Sequence, residues 1–127
     1  METREKRRIL VVDDEPSFTR LLKVNLERQG SYQIRTENNG AHALQAALEF
    51  RPDLIFLDVM MPGKDGGEVA AEIAKHESLK KIPIVFLTAA VSKKEVGIEG
   101  RVIAGRAFLA KPVNMAEVEK CIENHAA

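Results

Sequence analysis

The stretch ILVVDDEPS, residues 9–17, runs four apolar residues straight into three acids, a proline and a serine. An apolar run that is unbroken rather than alternating is what a strand buried on both faces requires. Pro16 suits the first position of a helix. Phe18, Leu21, Leu22 and Leu26 then recur at spacings of three and four, and Gly30 supplies a stop. The stretch therefore reads as a buried strand, a tight acidic turn and an amphipathic helix. A turn needs one Asp at most. Asp13 and Asp14, side by side, repel each other unless something positive lies between them.

The same unit recurs. LIFL at 54–57, IVFL at 84–87 and AFLA at 107–110 are again unbroken apolar runs, each expected to be buried on both faces. YQIRT at 32–36 alternates and fits an edge strand. Ala43, Leu44, Ala47 and Leu48 form a second helical stripe ahead of Pro52, and Val69, Ala70 and Ile73 a third. Ser92 and Glu95 could form a capping box for a fourth helix. That helix would carry Gly97 and Gly100, each costing about 1 kcal/mol against Ala. Asn114 and Glu117 could cap a fifth, with Val118, Cys121 and Ile122 facing inward. Five strands alternating with five helices give an α/β fold: a doubly wound parallel sheet with helices on both faces.

The chain has 127 residues, which fits a single domain over 1–127, with METREKR supplying a charged arm over residues 1–7. It is 45% hydrophobic and 30% charged, enough for a core and a hydrated surface. Nineteen basic residues balance nineteen acidic ones, so no basic excess points to direct nucleic acid binding and no net field points to a membrane. The single cysteine, Cys121, excludes an internal disulfide and a multi-cysteine zinc site and suits a reducing compartment, the cytoplasm. The first residues lack the apolar core of a signal peptide, and no apolar run is long enough to span a bilayer.

The ends of the buried runs carry the chemistry. ILVV ends in Asp13 and Asp14, LIFL in Asp58, IVFL in Thr88 and AFLA in Lys111. In open α/β sheets ligands bind outside the carboxyl ends of the strands. Four segments would thus deliver three acids, a hydroxyl and an amine to one rim. Carboxylates about 4 Å apart repel by roughly 4 kcal/mol per pair at an effective dielectric near 20. A hard divalent cation relieves this, and oxygen-only ligands suit Mg²⁺. Metal, lysine and hydroxyl around an aspartate nucleophile are the parts needed to stabilise a transferring phosphoryl group.

With these residues in view, the sequence resembles the receiver domain of bacterial two-component response regulators over essentially its whole length. The matching stretches are ILVVDDEP, NNGAHAL, RPDLIFLDVMMPGKDG, PIVFLTA and AFLAKP. The resemblance implies a flavodoxin-like (βα)5 sheet in strand order 2-1-3-4-5. It implies that Asp58 accepts a phosphoryl group from a phosphohistidine of a sensor kinase or phosphotransfer protein. It further implies Mg²⁺ held by Asp13, Asp14, Asp58 and the Met60 carbonyl, with Thr88 and Lys111 on the phosphoryl oxygens and a cis Lys111–Pro112 peptide. Phe108 matches the aromatic switch position, often Tyr in the family. Phosphorylation would draw Thr88 over, let Phe108 turn inward, and reshape the face of the fourth helix, fifth strand and fifth helix for a downstream protein. The resemblance allows either a monomer or a homodimer through that face.

Departures from the family pattern carry expectations of their own. Gly67 replaces a large apolar residue, so the third helix loses an anchor. Val113 replaces a common Phe after Lys-Pro. Met60 and Ala90 offer no group to orient a water, which implies slow self-dephosphorylation. Asp53 reads as a turn acid, Met60 and Met61 as packing residues, Cys121 as core, Lys93 and Lys94 as hydrated, and His42, His76 and His125 as solvated histidines without a ligand pattern. Three functions compete: a phosphorylation-gated interaction module, a Mg²⁺-dependent phosphatase with an aspartyl nucleophile, and a phosphorylation-independent scaffold. The phosphatase wants an Asp-x-Asp pair after the first strand, and here the third acid follows the third strand. The full set of acids, Thr88 and Lys111 speaks against the scaffold. The expectation is a module that catalyses only its own phosphorylation and dephosphorylation, not an enzyme on a free substrate.

Overall fold

A run of four apolar residues can bury alternate side chains on opposite faces only if both faces are covered. The computed structural model, which describes residues 6–89 and 107–126, shows how this is met. The elements are β1 (Arg7–Val12), α1 (Pro16–Arg28), β2 (Tyr32–Glu37), a 3-10 turn (Gly40–His42), α2 (Ala43–Phe50), β3 (Leu54–Asp58), α3 (Gly66–Lys75), β4 (Ile84–Thr88), β5 (Ala107–Ala110) and α4 (Met115–His125). All strand pairings are parallel, in the order β2-β1-β3-β4-β5. The helix expected from Ser92, with Glu95, Gly97, Gly100, Lys93 and Lys94, lies outside the described residues, as does Ala90.

The strands divide their side chains between two cores. Ile9, Val11, Phe56, Val85 and Leu87 pack with Leu22 and Leu26 of α1 and with Val118, Cys121 and Ile122 of α4. Leu10, Val12, Ile55, Leu57 and Phe86 pack on the other face with Ala43, Ala46 and Ala47 of α2 and Val69, Ala70 and Ile73 of α3. At about 25 cal/mol per Å² of apolar area, each such layer outweighs any single polar contact on the surface.

Several boundaries differ from the sequence reading. Residue 7 is not part of an arm. Arg7 opens β1 in register with Tyr32 and donates its N–H to the Ser31 carbonyl at 3.1 Å, because β2 is long enough to pair with it. AFLA forms β5 as expected, but Ala107, Phe108 and Leu109 are only half-buried and Ala110 is exposed, since β5 is an outer strand with β4 as its one strand neighbour among the described residues. The end of α2 owes its form to Arg51, which takes a left-handed conformation at φ 54, as well as to Pro52 behind it. Asp53 ties the start of β1, accepting from Arg8 N–H at 2.8 Å while its own N–H donates to the Arg8 carbonyl at 2.7 Å.

The helices are capped by side chains that the sequence placed well in one case and hid in another. Asn114 accepts from Glu117 N–H at 2.8 Å at the start of α4. Asp65 accepts from Glu68 N–H at 2.9 Å while Glu68 accepts from Asp65 N–H at 3.0 Å, a reciprocal capping box that starts α3. This cap, with Val69, Ala70 and Ile73 buried, holds α3 where Gly67 supplies no side chain. On the open edge of the sheet, α1 reaches over β2. Glu27 accepts from Ile34 N–H at 3.0 Å, and Lys23 Nζ donates to the Ile34 carbonyl at 3.3 Å.

Candidate functional site

Strand register decides which residues meet. Val12 pairs with Leu57, so the next residues, Asp13 and Asp58, emerge side by side at the centre of the sheet. Asp58 in turn pairs with Leu87, placing Thr88 at the neighbouring strand end, and Thr88 pairs with Ala110 just before Lys111. Asp13, Asp58 and Thr88 are all buried. One carboxylate oxygen from each of Asp13, Asp14 and Asp58 lies within 4.8 Å of the other two.

Lys111 supplies the counter-charge. Its Nζ stands 2.6 Å from Asp13 Oδ2, 3.3 Å from Glu15 Oε1 and 3.8 Å from Asp58 Oδ2. Its backbone N–H donates to the Thr88 carbonyl at 2.7 Å, and the peptide bond to Pro112 is cis. Asp13 is fixed from several sides. Its N–H donates to the Glu37 carbonyl at 3.0 Å, its Oδ1 accepts from Glu15 N–H at 3.0 Å, and its carbonyl accepts from Asn38 Nδ2 at 2.8 Å. Asp13 Oδ2 meets no hydrogen bond beyond the ion pair with Lys111 among the described residues.

The electrostatics follow from this crowding. Burial first, and then the charge of Asp13, push the Asp58 carboxyl up to about 7, against the opposing pull of Lys111 and of the Met60 N–H. Burial acts to lower the Lys111 ammonium, but pairing with Asp13, and then with Asp58 and Glu15, outweighs it, so the net shift is upward. A cluster of three carboxylates around one lysine retains surplus negative charge. Hard oxygen donors, an acid raised by its neighbours and a buried carboxylate oxygen with a single partner fit a small divalent cation such as Mg²⁺.

The floor beneath Asp58 is backbone. A Cβ added at Gly66 would collide with the Asp58 carbonyl oxygen and stand 3.0 Å from Val59 Cα, while Gly66 N–H donates to the Val59 carbonyl at 2.9 Å. Gly66→Ala is therefore expected to lower stability by about 2 kcal/mol, read from the denaturant midpoint. An unchanged midpoint would show that α3 can move off Asp58 freely.

The other expected residues take different places. Met60, two residues after Asp58, is not a packing residue: it is 72% exposed, whereas Met61 is buried. Thr88 and Phe86 lie on the same face of β4 by strand alternation. Phe108, paired in register with Phe86, packs against it with ring centres 6.1 Å apart. Thr88 and Phe108 thus share one face of adjacent strands. His42 and His125 are exposed, and His76 is half-buried at the end of α3.

The sequence reading missed Glu15, Asn38 and the second role of Phe18. Asn38 also donates to Thr19 Oγ1 at 3.1 Å, locking the β1 turn to the end of β2. Phe18, expected only as part of an apolar stripe, lies under Lys111 Nζ at 4.6 Å from its ring centre. An acid directly after Asp-Asp was the available signal for Glu15.

The model of the response regulator receiver domain matches residues 9–123 of the chain. This chain belongs to the response regulator receiver family. The receiver domain is 40% identical to the alkaline phosphatase synthesis transcriptional regulatory protein PhoP of Bacillus subtilis, over 88% of this chain and 45% of that protein. It therefore spans about half the length of the curated relatives it matches. Chemotaxis protein CheY4 of Vibrio cholerae has the same fold at TM-score 0.83 and 29% identity, covering 94% of this chain and 98% of that one. The receiver domain of sensor histidine kinase PA1611 from Pseudomonas aeruginosa, whose structure has a magnesium ion coordinated in the active site cleft, matches at TM-score 0.83 and 29% identity, covering 95% and 98%. No helix among the described residues is long and apolar enough to cross a membrane.

Proposed function

We propose that this receiver domain accepts a phosphoryl group on Asp58 from a phosphohistidine of a sensor histidine kinase or phosphotransfer protein, in a Mg²⁺-dependent reaction in the cytoplasm. The observation that carries this reading is the convergence of Asp13, Asp14 and Asp58 within 4.8 Å, with Lys111 Nζ 3.8 Å from Asp58. Asp13, Asp14, Asp58 and the Met60 carbonyl would hold the cation. When bound, it offsets the clustered negative charge and takes phosphoryl oxygens. The likeness to the Pseudomonas receiver with its magnesium ion supports that assignment.

The chain's own residues perform the rest. An Asp58 carboxylate oxygen attacks phosphorus; the new O–P bond forms as the P–N bond to the donor histidine breaks, and the imidazole leaves with the electron pair. Lys111 turns to the incoming phosphoryl oxygens, and Thr88 donates its hydroxyl to one of them. Because Thr88 and Phe108 share a face, a shift of Thr88 frees space toward which Phe108 can turn, altering the β5 and α4 surface offered to a downstream protein. A second copy of the chain is one candidate for that surface. The domain acts on its own aspartate and not on a free substrate.

Incubation with acetyl phosphate, with and without Mg²⁺, tests this by intact mass. The expected result is a gain of one phosphoryl group that requires Mg²⁺; no gain under either condition would overturn the reading. The lifetime of the product has its own expectation. Met60, exposed two residues after Asp58, has no side-chain group able to orient a water, so Met60→Asn is expected to shorten the phospho-Asp58 lifetime several-fold. A lifetime that lengthens would show that water reaches phosphorus by another route.

A further inference from the structure

Glu15 occupies the cap position of α1, where a short side chain ordinarily accepts a helix N–H. It makes no capping hydrogen bond. Its backbone N–H is already held by Asp13 Oδ1 at 3.0 Å, and its carbonyl accepts from Phe18 and Thr19 N–H at 3.1 and 3.2 Å. Its side chain is 62% exposed and free to follow solvent, yet reaches across the sheet end to Lys111 at 3.3 Å, 96 residues away in the chain.

The ammonium of Lys111 therefore has three partners from one short segment. Asp13 pairs with it at 2.6 Å, Glu15 at 3.3 Å, and the Phe18 ring lies beneath it at 4.6 Å. Asp58, at 3.8 Å, is the most distant of the three carboxylates. The lysine is thus drawn toward the β1–α1 side and away from the acceptor.

We infer that Glu15 is a positioning residue that, with Asp13 and Phe18, restrains the Lys111 ammonium against the β1–α1 turn and so holds the domain in its unphosphorylated form. The inference rests on the reading of Asp58 as phosphoacceptor. Asp13 would also face the cation. Glu15 has no such second task. Of the two carboxylates that hold Lys111 on this side, Glu15 is the one that can be removed without dismantling the acid cluster.

Glu15→Gln keeps the shape and removes the charge. The expected result is phosphorylation about two- to five-fold faster, the range that an exposed ion pair supports. The acceleration should be equal with acetyl phosphate, a dianion, and phosphoramidate, which carries less charge. In the unphosphorylated variant the Lys111 Hε resonances should also lose part of the upfield ring-current shift that Phe18 imposes. Thermal stability should fall by no more than that same small factor, because an ion pair is lost and no cap is. An unaltered or slower rate, an unaltered ring-current shift, or an acceleration confined to acetyl phosphate would each overturn the inference; the last would mean that Glu15 merely repels an anionic donor. A wild type that takes up no phosphoryl group would instead sink the proposed function itself, whatever the variant does.

Discussion

Asp58→Asn is expected to take up no measurable phosphoryl group from acetyl phosphate at any Mg²⁺ concentration, a loss on the order of 10³-fold or more in rate. An amide oxygen is a poor nucleophile, and the neighbouring acids are poor substitutes. Asp13 is buried with one oxygen on Lys111 at 2.6 Å and the other on Glu15 N–H. Asp14 lies at the start of the turn, off the central pair of strands. Uptake by Asp58→Asn at the wild-type rate, with the mass mapped to another acid, would move the acceptor and leave the strand-end geometry without its central role.

The second large effect is on stability, and its sign is set by the direction of one shift. The Asp58 carboxyl is raised from 3.8 to about 7, so the fold favours its protonated form. That contribution is present in full below pH about 4 and is lost as pH rises through about 7. Three pH units would be worth about 4 kcal/mol at most, and the cluster is partly open to solvent at Asp14, so about 1–2 kcal/mol is the expected loss. Asp58→Asn, without metal, should therefore be more stable than wild type at pH 8, by several degrees in melting temperature, and indistinguishable near pH 4. Mg²⁺ should reverse the order at pH 8. A cation at about 100 times its dissociation constant adds about 2.7 kcal/mol to a protein that binds it only when folded. It should add least at low pH, where protons compete for the same oxygens. Thermal melts across pH, with and without Mg²⁺, would show this. A wild type whose metal-free stability rises steadily from pH 4 to 8, with Asp58→Asn parallel to it, would mean that the carboxylates are not crowded as described.

What could be read from the sequence follows the physics that acts locally. ILVV, LIFL and IVFL declare central strands because only a strand covered on both faces can dispense with alternation, and the acids, hydroxyl and amine that end the runs could be placed on one rim from topology alone. AFLA is likewise unbroken and apolar, but it lies at the outside of the sheet; an apolar run does not encode how many neighbours a strand has. Glu15 reads as one more turn acid, because its partner lies 96 residues further along the chain. Met60 and Met61 are indistinguishable in sequence, yet one is exposed and one buried, a consequence of how the chain leaves β3. Asp65 and Glu68 formed a recognisable cap that the glycines beside them obscured.

The two bonds from α1 to Ile34 have a consequence unrelated to phosphate. An outer strand with bare amides and carbonyls invites a foreign segment to extend the sheet. Glu27 and Lys23 occupy both groups of Ile34, at the middle of β2, so that border cannot be zipped continuously by an intruding chain. The same helix that carries the acidic turn at its front thereby keeps the molecule from templating its own aggregation at its side.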